Sequence, residues 1–167
     1  MLNKFYPDYY IESSFSIPYE KLYEKGYRGI LFDIDNTLVA HVADANAEVI
    51  QLFDRLKKIG FRICLMSNNK IDRVERFNKD IRVNYIYKAG KPSKKSYLEA
   101  MNRIHTDTEN TIFVGDQLFT DVWGAKRVGI KNYLVKPIDS KEEIQIVIKR
   151  FFEKIVLYFY KKQAKIQ

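Results

Sequence analysis

The chain has 167 residues, 46% of them apolar, which is enough for one compact core and excludes wholesale disorder. Its 29 basic residues exceed its 21 acidic residues by eight. This surplus favours anionic partners such as phosphorylated substrates, anionic lipid headgroups or nucleic acid, although a solvated basic surface accounts for it as well. A single cysteine, Cys64, fits a reducing compartment, and with neither a secretory signal nor an apolar stretch of membrane-spanning length we expect a cytoplasmic protein.

Strand and helix patterns alternate along the chain from residue 28 onward. The predicted strands are residues 29–32, 61–66, 83–87, 111–114 and 132–135. The predicted helices are residues 45–58, 71–77, 92–104, 120–128 and 141–162. This alternation predicts an α/β fold with a doubly wound, mainly parallel, five-stranded Rossmann-like sheet, helices on both faces and no cap domain.

The expected organisation is a single domain that spans residues 1–167. Residues 1–27 form an N-terminal extension, residues 28–140 form the core, and residues 141–167 form a C-terminal amphipathic helix. Binding sites of open parallel sheets lie beyond the carboxyl ends of their strands. Polar clusters follow three of the predicted strands at that end, so we expect them to meet there.

The strongest of these clusters is Asp33-Ile-Asp35-Asn-Thr37, directly after the first strand. Two carboxylates two residues apart can converge on one substrate, and their environments can separate their pKa values. A calcium loop is excluded because Leu38 stands where that loop needs glycine and Asp44 where it needs glutamate. A helix cap or turn remains open for this pentapeptide alone.

Three more clusters favour a phosphate-binding site over a helix cap or turn. Ser67 offers a hydroxyl to a phosphoryl oxygen, Lys91 offers a positive charge near a helix start, and Asp116 and Asp121 add two carboxylates after a buried strand. Each of these alone is consistent with a turn or a solvated charge. Their order, each at a strand end, favours a common site.

These residues resemble the four motifs of the haloacid dehalogenase (HAD) superfamily over roughly residues 29–121. Asp-Ile-Asp-Asn-Thr-Leu, Ser-Asn-Asn, Gly-Lys-Pro and Gly-Asp-Gln-Leu-Phe-Thr-Asp together look like the bacterial YqeG family. That family is similar to mitochondrial and plastid phosphatidylglycerophosphate phosphatases. The run from Trp123 to Arg127 departs from the Gly-Gly-Asn-Arg-like run of the family.

The resemblance implies a phosphatase in which Asp33 attacks phosphorus to form a phospho-aspartate. Asp35 then acts as general acid and base, and Lys91 completes the catalytic set. It also implies Mg²⁺, held by the Asp33 carboxylate, the Asp35 backbone carbonyl and Asp116.

The remaining roles that the resemblance implies concern the substrate phosphate and the support of the site. Ser67, Asn68 and Lys91 would bind the phosphate oxygens. Thr37 and Asp121 would support the site. The chain's two histidines, His41 and His105, are expected at the surface or behind the site.

The spacing of the motifs bears on the substrate. The stretches from Asp35 to Ser67 and from Ser67 to Lys91 have room for one helix and one strand each, so neither can hold a lid. An open site resembles superfamily members that act on large substrates.

The C-terminal helix bears on the partner. Ile144, Val147, Ile148, Phe151, Ile155 and Tyr158 recur at helical spacing among lysines and an arginine. A helix of this kind suits an anionic membrane surface, while packing of its apolar side on the sheet is the slightly favoured alternative.

A phospholipid headgroup, for example phosphatidylglycerophosphate, is therefore the leading substrate, and a peripheral position at the inner face of the membrane goes with it. A phosphatase for protein, nucleic-acid or small-metabolite phosphates is the alternative enzyme. A non-catalytic binding module on the same fold is a third interpretation, which the intact motif residues oppose.

Overall fold

The computed structural model describes residues 2–139 and 144–164. The strands are β1 (Tyr9–Ile11), β2 (Gly29–Phe32), β3 (Arg62–Met66), β4 (Asn84–Ile86), β5 (Thr111–Gly115) and β6 (Lys131–Val135). The α-helices are α1 (Tyr19–Glu24), α2 (Ala47–Ile59), α3 (Ile71–Asn78), α4 (Lys94–Arg103), α5 (Trp123–Val128) and α6 (Ile144–Ala164). A π-helix at Leu118–Val122 precedes α5, and short 3₁₀ helices lie at Leu2–Phe5 and Ser14–Ser16.

The strands form one parallel sheet in the order β1-β6-β5-β2-β3-β4. The predicted α/β class is confirmed, but the predicted count of five strands is wrong. The sixth strand, β1, lies in the segment that the sequence suggested was an extension, and it pairs with β6 at the edge of the sheet, with Tyr10 opposite Leu134. A three-residue strand has no periodicity of its own, so only its pairing reveals it.

Helices cover both faces of the sheet because successive residues of a strand point to opposite sides. Ile30 and Phe32 of β2 pack into a cluster with residues of α1, α2 and α3. Leu31, between them, packs into a second cluster with residues of α4 and α5. Only α2 connects β2 to β3, and only α3 connects β3 to β4, so neither connection carries a lid.

The local sequence explains the ends of α2, which follows the Asp33 loop. The side chain of Asn46 accepts a hydrogen bond from Val49 N at 2.9 Å, which satisfies one of the unpaired amides at the helix start. Gly60 ends the helix with φ of 111°, in the left-handed region that glycine adopts at low cost.

Helix α6 packs on the π-helix and the first 3₁₀ helix through Val156 and Leu157, with Glu153 buried beside them. The six apolar residues that the sequence placed on its packing face are all exposed, so the expectation that this face covers the sheet is wrong. The predicted helix spans 141–167, but residues 141–143 and 165–167 lie outside the described part of the chain. In the described part of the chain, none of the helices contains an apolar stretch of membrane-spanning length.

Candidate active site

The site lies at the carboxyl ends of β5, β2 and β3, which are neighbours in the sheet. A pocket of about 210 Å³ opens there. Its lining residues are Asp33, Asp35, Asn36, His41, Ser67, Asn68, Asn69, Lys91, Gln117, Thr120, Ile146 and Lys149. The parallel sheet therefore brings together the polar clusters that the sequence placed at strand ends.

Lys91 links two of the carboxylates. Its ammonium lies 2.5 Å from Asp33 Oδ1 and 2.8 Å from Asp121 Oδ1, and all three residues are buried. The other oxygen of Asp121 accepts hydrogen bonds from the backbone amides of Asp116 and Gln117. Both oxygens of Asp121 are thus engaged, which fits the supporting role expected of it.

Gly115 has no Cβ, and this leaves space for the side chain of Asp121. A Cβ added at Gly115 would lie 2.5 Å from Asp121 Oδ2, so the carboxylate approaches the backbone in a way that any other residue at 115 would obstruct. Asp121 itself stands on the π-helix, a rare local structure that often occurs at functional sites.

Asp116 lies on the other side of Asp33. Thr37 Oγ1 is 3.1 Å from both Asp33 Oδ2 and Asp116 Oδ1, and its single proton can be donated to one of them at a time. The guanidinium of Arg150, from α6, forms an ion pair with Asp116 Oδ2 and also donates to the Asp116 carbonyl at 2.7 Å. Arg150 in turn pairs with Glu153, which accepts a hydrogen bond from Leu118 N.

Burial dominates the electrostatics of this group. It raises the pKa of Asp33 to about 6, although Lys91 acts in the opposite direction. Burial, together with the negative charge of Asp33, also raises the pKa of Asp116, against the opposing effect of Arg150. For Lys91, burial acts to lower the pKa, but the carboxylates of Asp121 and Asp33 outweigh it and hold the pKa above its ordinary value.

The carboxylates of Asp33, Asp116 and Asp121 lie within 4.8 Å of one another. Hard oxygen donors at this spacing fit a divalent cation. Burial raises the pKa values of Asp33 and Asp116, and the repulsion between neighbouring carboxylates adds to that effect. The sequence expected Asp33 and Asp116 as side-chain ligands, and both belong to the cluster. The Asp35 carboxylate lies outside it, and the role expected of the Asp35 carbonyl stays a prediction.

Asp35 lines the same pocket, and its carboxylate has its own set of partners. Its carboxylate accepts hydrogen bonds from Val42 N and the Asn69 side chain, both at 2.8 Å, and pairs with Arg73 at 3.0 Å. Arg73 is itself buried and also donates to the Ala43 carbonyl. These contacts fix the direction in which the Asp35 carboxylate points.

The expected phosphate-binding residues line the same pocket, but the Asn68 side chain is engaged elsewhere. Its Oδ1 accepts a hydrogen bond from Lys91 N at 2.8 Å, which ties the loop after β3 to the loop that carries Lys91. Ser67 Oγ accepts from Asn69 N at 3.1 Å, and a hydroxyl in this position can donate its own proton to a phosphoryl oxygen.

Sequence reasoning missed Asn69, Arg73 and Arg150. Asn69 belongs to the quoted Ser-Asn-Asn motif and could have been named from it, whereas nothing local marks Arg73 or Arg150 among the many basic residues. His41 lines the pocket. Cys64 is a buried residue of β3, and burial raises the pKa of its thiol to about 12, which disfavours the thiolate.

The departure after the fourth motif lies on α5, away from the pocket lining. The Trp123 ring packs edge-on against Phe5, with centroids 5.5 Å apart, and Arg127 lies over the Trp123 ring. Arg127 also donates a hydrogen bond to the Pro92 carbonyl at 3.0 Å. The unusual residues therefore hold the N-terminal segment and the loop after Lys91.

Comparisons with known proteins show the family to which the chain belongs. A family model for HAD-like hydrolases matches residues 88–144. The chain is 36% identical to the probable phosphatase YqeG of Bacillus subtilis over all of its own length and 98% of that protein. The chain belongs to the YqeG family. It is thus a phosphatase of the HAD superfamily, with acidic residues placed to hold a metal ion.

The chain is also similar to a more distant relative and to a solved structure. Phosphatidylglycerophosphate phosphatase 1 of Arabidopsis thaliana is 27% identical over 78% of this chain and 40% of its own length. The structure of a predicted HAD-like family hydrolase from Porphyromonas gingivalis superposes with a TM-score of 0.54 at 15% identity, covering 75% of this chain and 98% of that one. This second similarity shows the HAD fold.

Binding of a divalent cation, tested with Mg²⁺, should weaken as the pH falls through about 6. Protonation of Asp33, whose pKa is raised to about 6, removes a ligand charge, so the metal must displace a proton at lower pH. Calorimetric titration of the metal-free protein across this pH range measures the effect. Asp54→Asn, on the exposed side of α2, should leave the profile unchanged, and an affinity independent of pH would contradict the assignment.

Replacing Arg150 by glutamine should tighten Mg²⁺ binding by about tenfold, or ~1.4 kcal/mol, because a cation next to a metal ligand repels the metal. Arg150→Lys keeps the charge and serves as the matched control, with thermal unfolding recorded for each variant. Weaker binding by Arg150→Gln would mean that Arg150 supports the metal site instead of opposing the metal.

Proposed function

We propose that this phosphatase is a Mg²⁺-dependent phosphomonoesterase that forms a phospho-aspartate on Asp33 and acts on a phospholipid headgroup. The position of Asp33 is the main support for this mechanism, because Asp33 lines an open pocket. Lys91 forms ion pairs with both Asp33 and Asp121. The hydroxyl of Thr37 lies within hydrogen-bonding distance of both Asp33 and Asp116. A nucleophilic carboxylate in this position is desolvated and has the ammonium of Lys91 beside it.

In the first step an oxygen of Asp33 attacks phosphorus and the bond from phosphorus to the ester oxygen breaks. Asp35 gives its proton to the departing oxygen. In the second step a water molecule attacks the phosphorus of the acyl phosphate, and Asp35 takes the proton of that water. The bond from phosphorus to Asp33 breaks, which releases phosphate and restores the carboxylate.

The residues around the pocket have distinct parts in this proposal. Lys91 stays charged and holds the phosphate oxygens together with Ser67, while Asn68 keeps the Lys91 loop in place. Arg73 and Asn69 hold the Asp35 carboxylate in one direction. Asp33, Asp116 and the Asp35 carbonyl would hold Mg²⁺, which neutralises phosphate charge so that an anionic nucleophile can approach.

Three observations support a phospholipid as the substrate. Neither connection flanking the site carries a lid, so a bulky substrate can remain outside the pocket. Ile146 and Lys149 of α6 line the pocket and place an apolar and a cationic side chain at its border. One distant relative is a phosphatidylglycerophosphate phosphatase. The same open pocket would admit a phosphorylated protein, nucleic-acid end or metabolite, and these form the comparison in the test.

Asp33→Asn should lower phosphate release by at least about a thousandfold, because an amide is a very poor nucleophile. Phosphate release and thermal unfolding are measured together, with Asp54→Asn as the matched control for loss of one carboxylate. Activity of Asp33→Asn near that of the wild type would remove the phospho-aspartate mechanism.

Activity should vanish on chelation, return with Mg²⁺ and fall when excess Ca²⁺ is added, because Ca²⁺ prefers more ligands in a looser geometry. The assay is run on phosphatidylglycerophosphate in vesicles, and on a sugar phosphate, a nucleotide and a phosphopeptide at matched concentration. The vesicle substrate should be hydrolysed fastest. Much faster turnover of a soluble phosphomonoester would contradict the lipid assignment, and full activity after chelation would contradict the metal requirement.

A further inference from the structure

The outward face of α6 concentrates exposed apolar surface. Of the fourteen large apolar side chains that are exposed in the described residues, eight lie on this helix. They are Ile144, Val147, Ile148, Phe151, Phe152, Ile155, Tyr158 and Phe159. At about 100° per residue these positions fall within an arc of about 140°, so they form one continuous stripe along the helix.

The stripe is not the face by which α6 is attached to the protein. Glu153 and Val156 are buried on the opposite side, where Arg150 reaches Asp116 and the Tyr160 ring packs against Tyr6. The attachment therefore leaves the stripe open to solvent from Ile144 to Phe159, a length of about 24 Å. Contiguous exposed apolar surface of this kind marks an interaction site.

The charges along the stripe select the kind of partner. Lys154 and Lys161 lie along one border, Lys149 lies along the other, and Lys162 lies at the C-terminal end; all four are exposed. The acidic residue of the described helix, Glu153, is buried and paired with Arg150. A second copy of this helix would offer these lysines no carboxylate, whereas lipid phosphates would offer them negative charge.

We propose that the outward face of α6 binds an anionic membrane surface, with the apolar stripe inserted at the level of the headgroups and the bordering lysines against lipid phosphates. Amphipathic helices with aromatic and apolar residues on one side and cations beside them bind the interface in this way. The inference of a membrane-binding surface depends only on the geometry of α6. The connection of this surface to a lipid substrate rests on the proposed function.

The stripe lies next to the pocket that contains Asp33. Lys149 borders the stripe and lines the pocket, and Arg150, the next residue, is paired with Asp116. A bilayer against the stripe would therefore have its headgroups next to the mouth of the pocket. Binding of the helix and access of a headgroup to Asp33 would depend on the same element.

The test is co-sedimentation of the full chain with vesicles of phosphatidylcholine mixed with phosphatidylglycerol, and with vesicles of phosphatidylcholine alone. The protein should bind the anionic vesicles, and added salt should weaken the binding because it screens the lysines. Phe151→Gln combined with Phe152→Gln should lower the partition coefficient by at least about tenfold. Leu98→Gln, which removes an exposed apolar side chain from α4, should not change it.

Lys154→Gln combined with Lys161→Gln should weaken binding to the anionic vesicles and reduce its dependence on salt. All these variants should hydrolyse a soluble phosphomonoester as fast as the wild type, so a failure of the proposed function would be seen separately from a failure of binding. Absence of vesicle binding by the wild type would overturn the proposal. So would sedimentation velocity showing a dimer that the phenylalanine variants dissociate while vesicles bind nothing.

Discussion

Three buried carboxylates lie within a few ångströms of one another at the end of a parallel sheet, and this arrangement requires positive charge nearby. Asp33, Asp116 and Asp121 repel one another in a poorly solvated site, where charges cost more than in water. Lys91 and Arg150 meet part of this need, and each comes from a distant part of the chain. The loop after β4 and the helix α6 are thus tied to the site by charge, and a divalent cation would meet the rest.

Much of this site could be predicted because its residues follow buried strands. Short apolar runs predict β2, β3 and β5, and parallel pairing then requires Asp33, Ser67 and Asp116 to meet at one edge. The strand β1 could not be predicted in the same way, because Tyr9–Ile11 is too short for a pattern and gains its structure from pairing with β6. The contacts of Arg73 and Arg150 depend on tertiary packing, which local periodicity does not encode.

Helix α6 shows a different limit of sequence patterns. Its apolar residues recur at helical spacing, and the usual interpretation is that such a face packs inward. In the structure the helix is attached by a face that carries Arg150 and Glu153, because these two satisfy Asp116 and the amide of Leu118. The attaching face thus combines these ion pairs with the apolar contacts of Val156 and Leu157, and the apolar stripe faces outward.

In the proposed mechanism Asp33 carries the phosphoryl group during turnover. Rapid quenching of the enzyme during turnover, followed by borohydride reduction, converts an acyl phosphate into homoserine, which mass spectrometry locates in the digested chain. We expect homoserine at position 33 in the presence of substrate and Mg²⁺, and none in Asp33→Asn or without substrate. Homoserine at another carboxylate, or steady turnover with no reduced residue at any quench time, would contradict it.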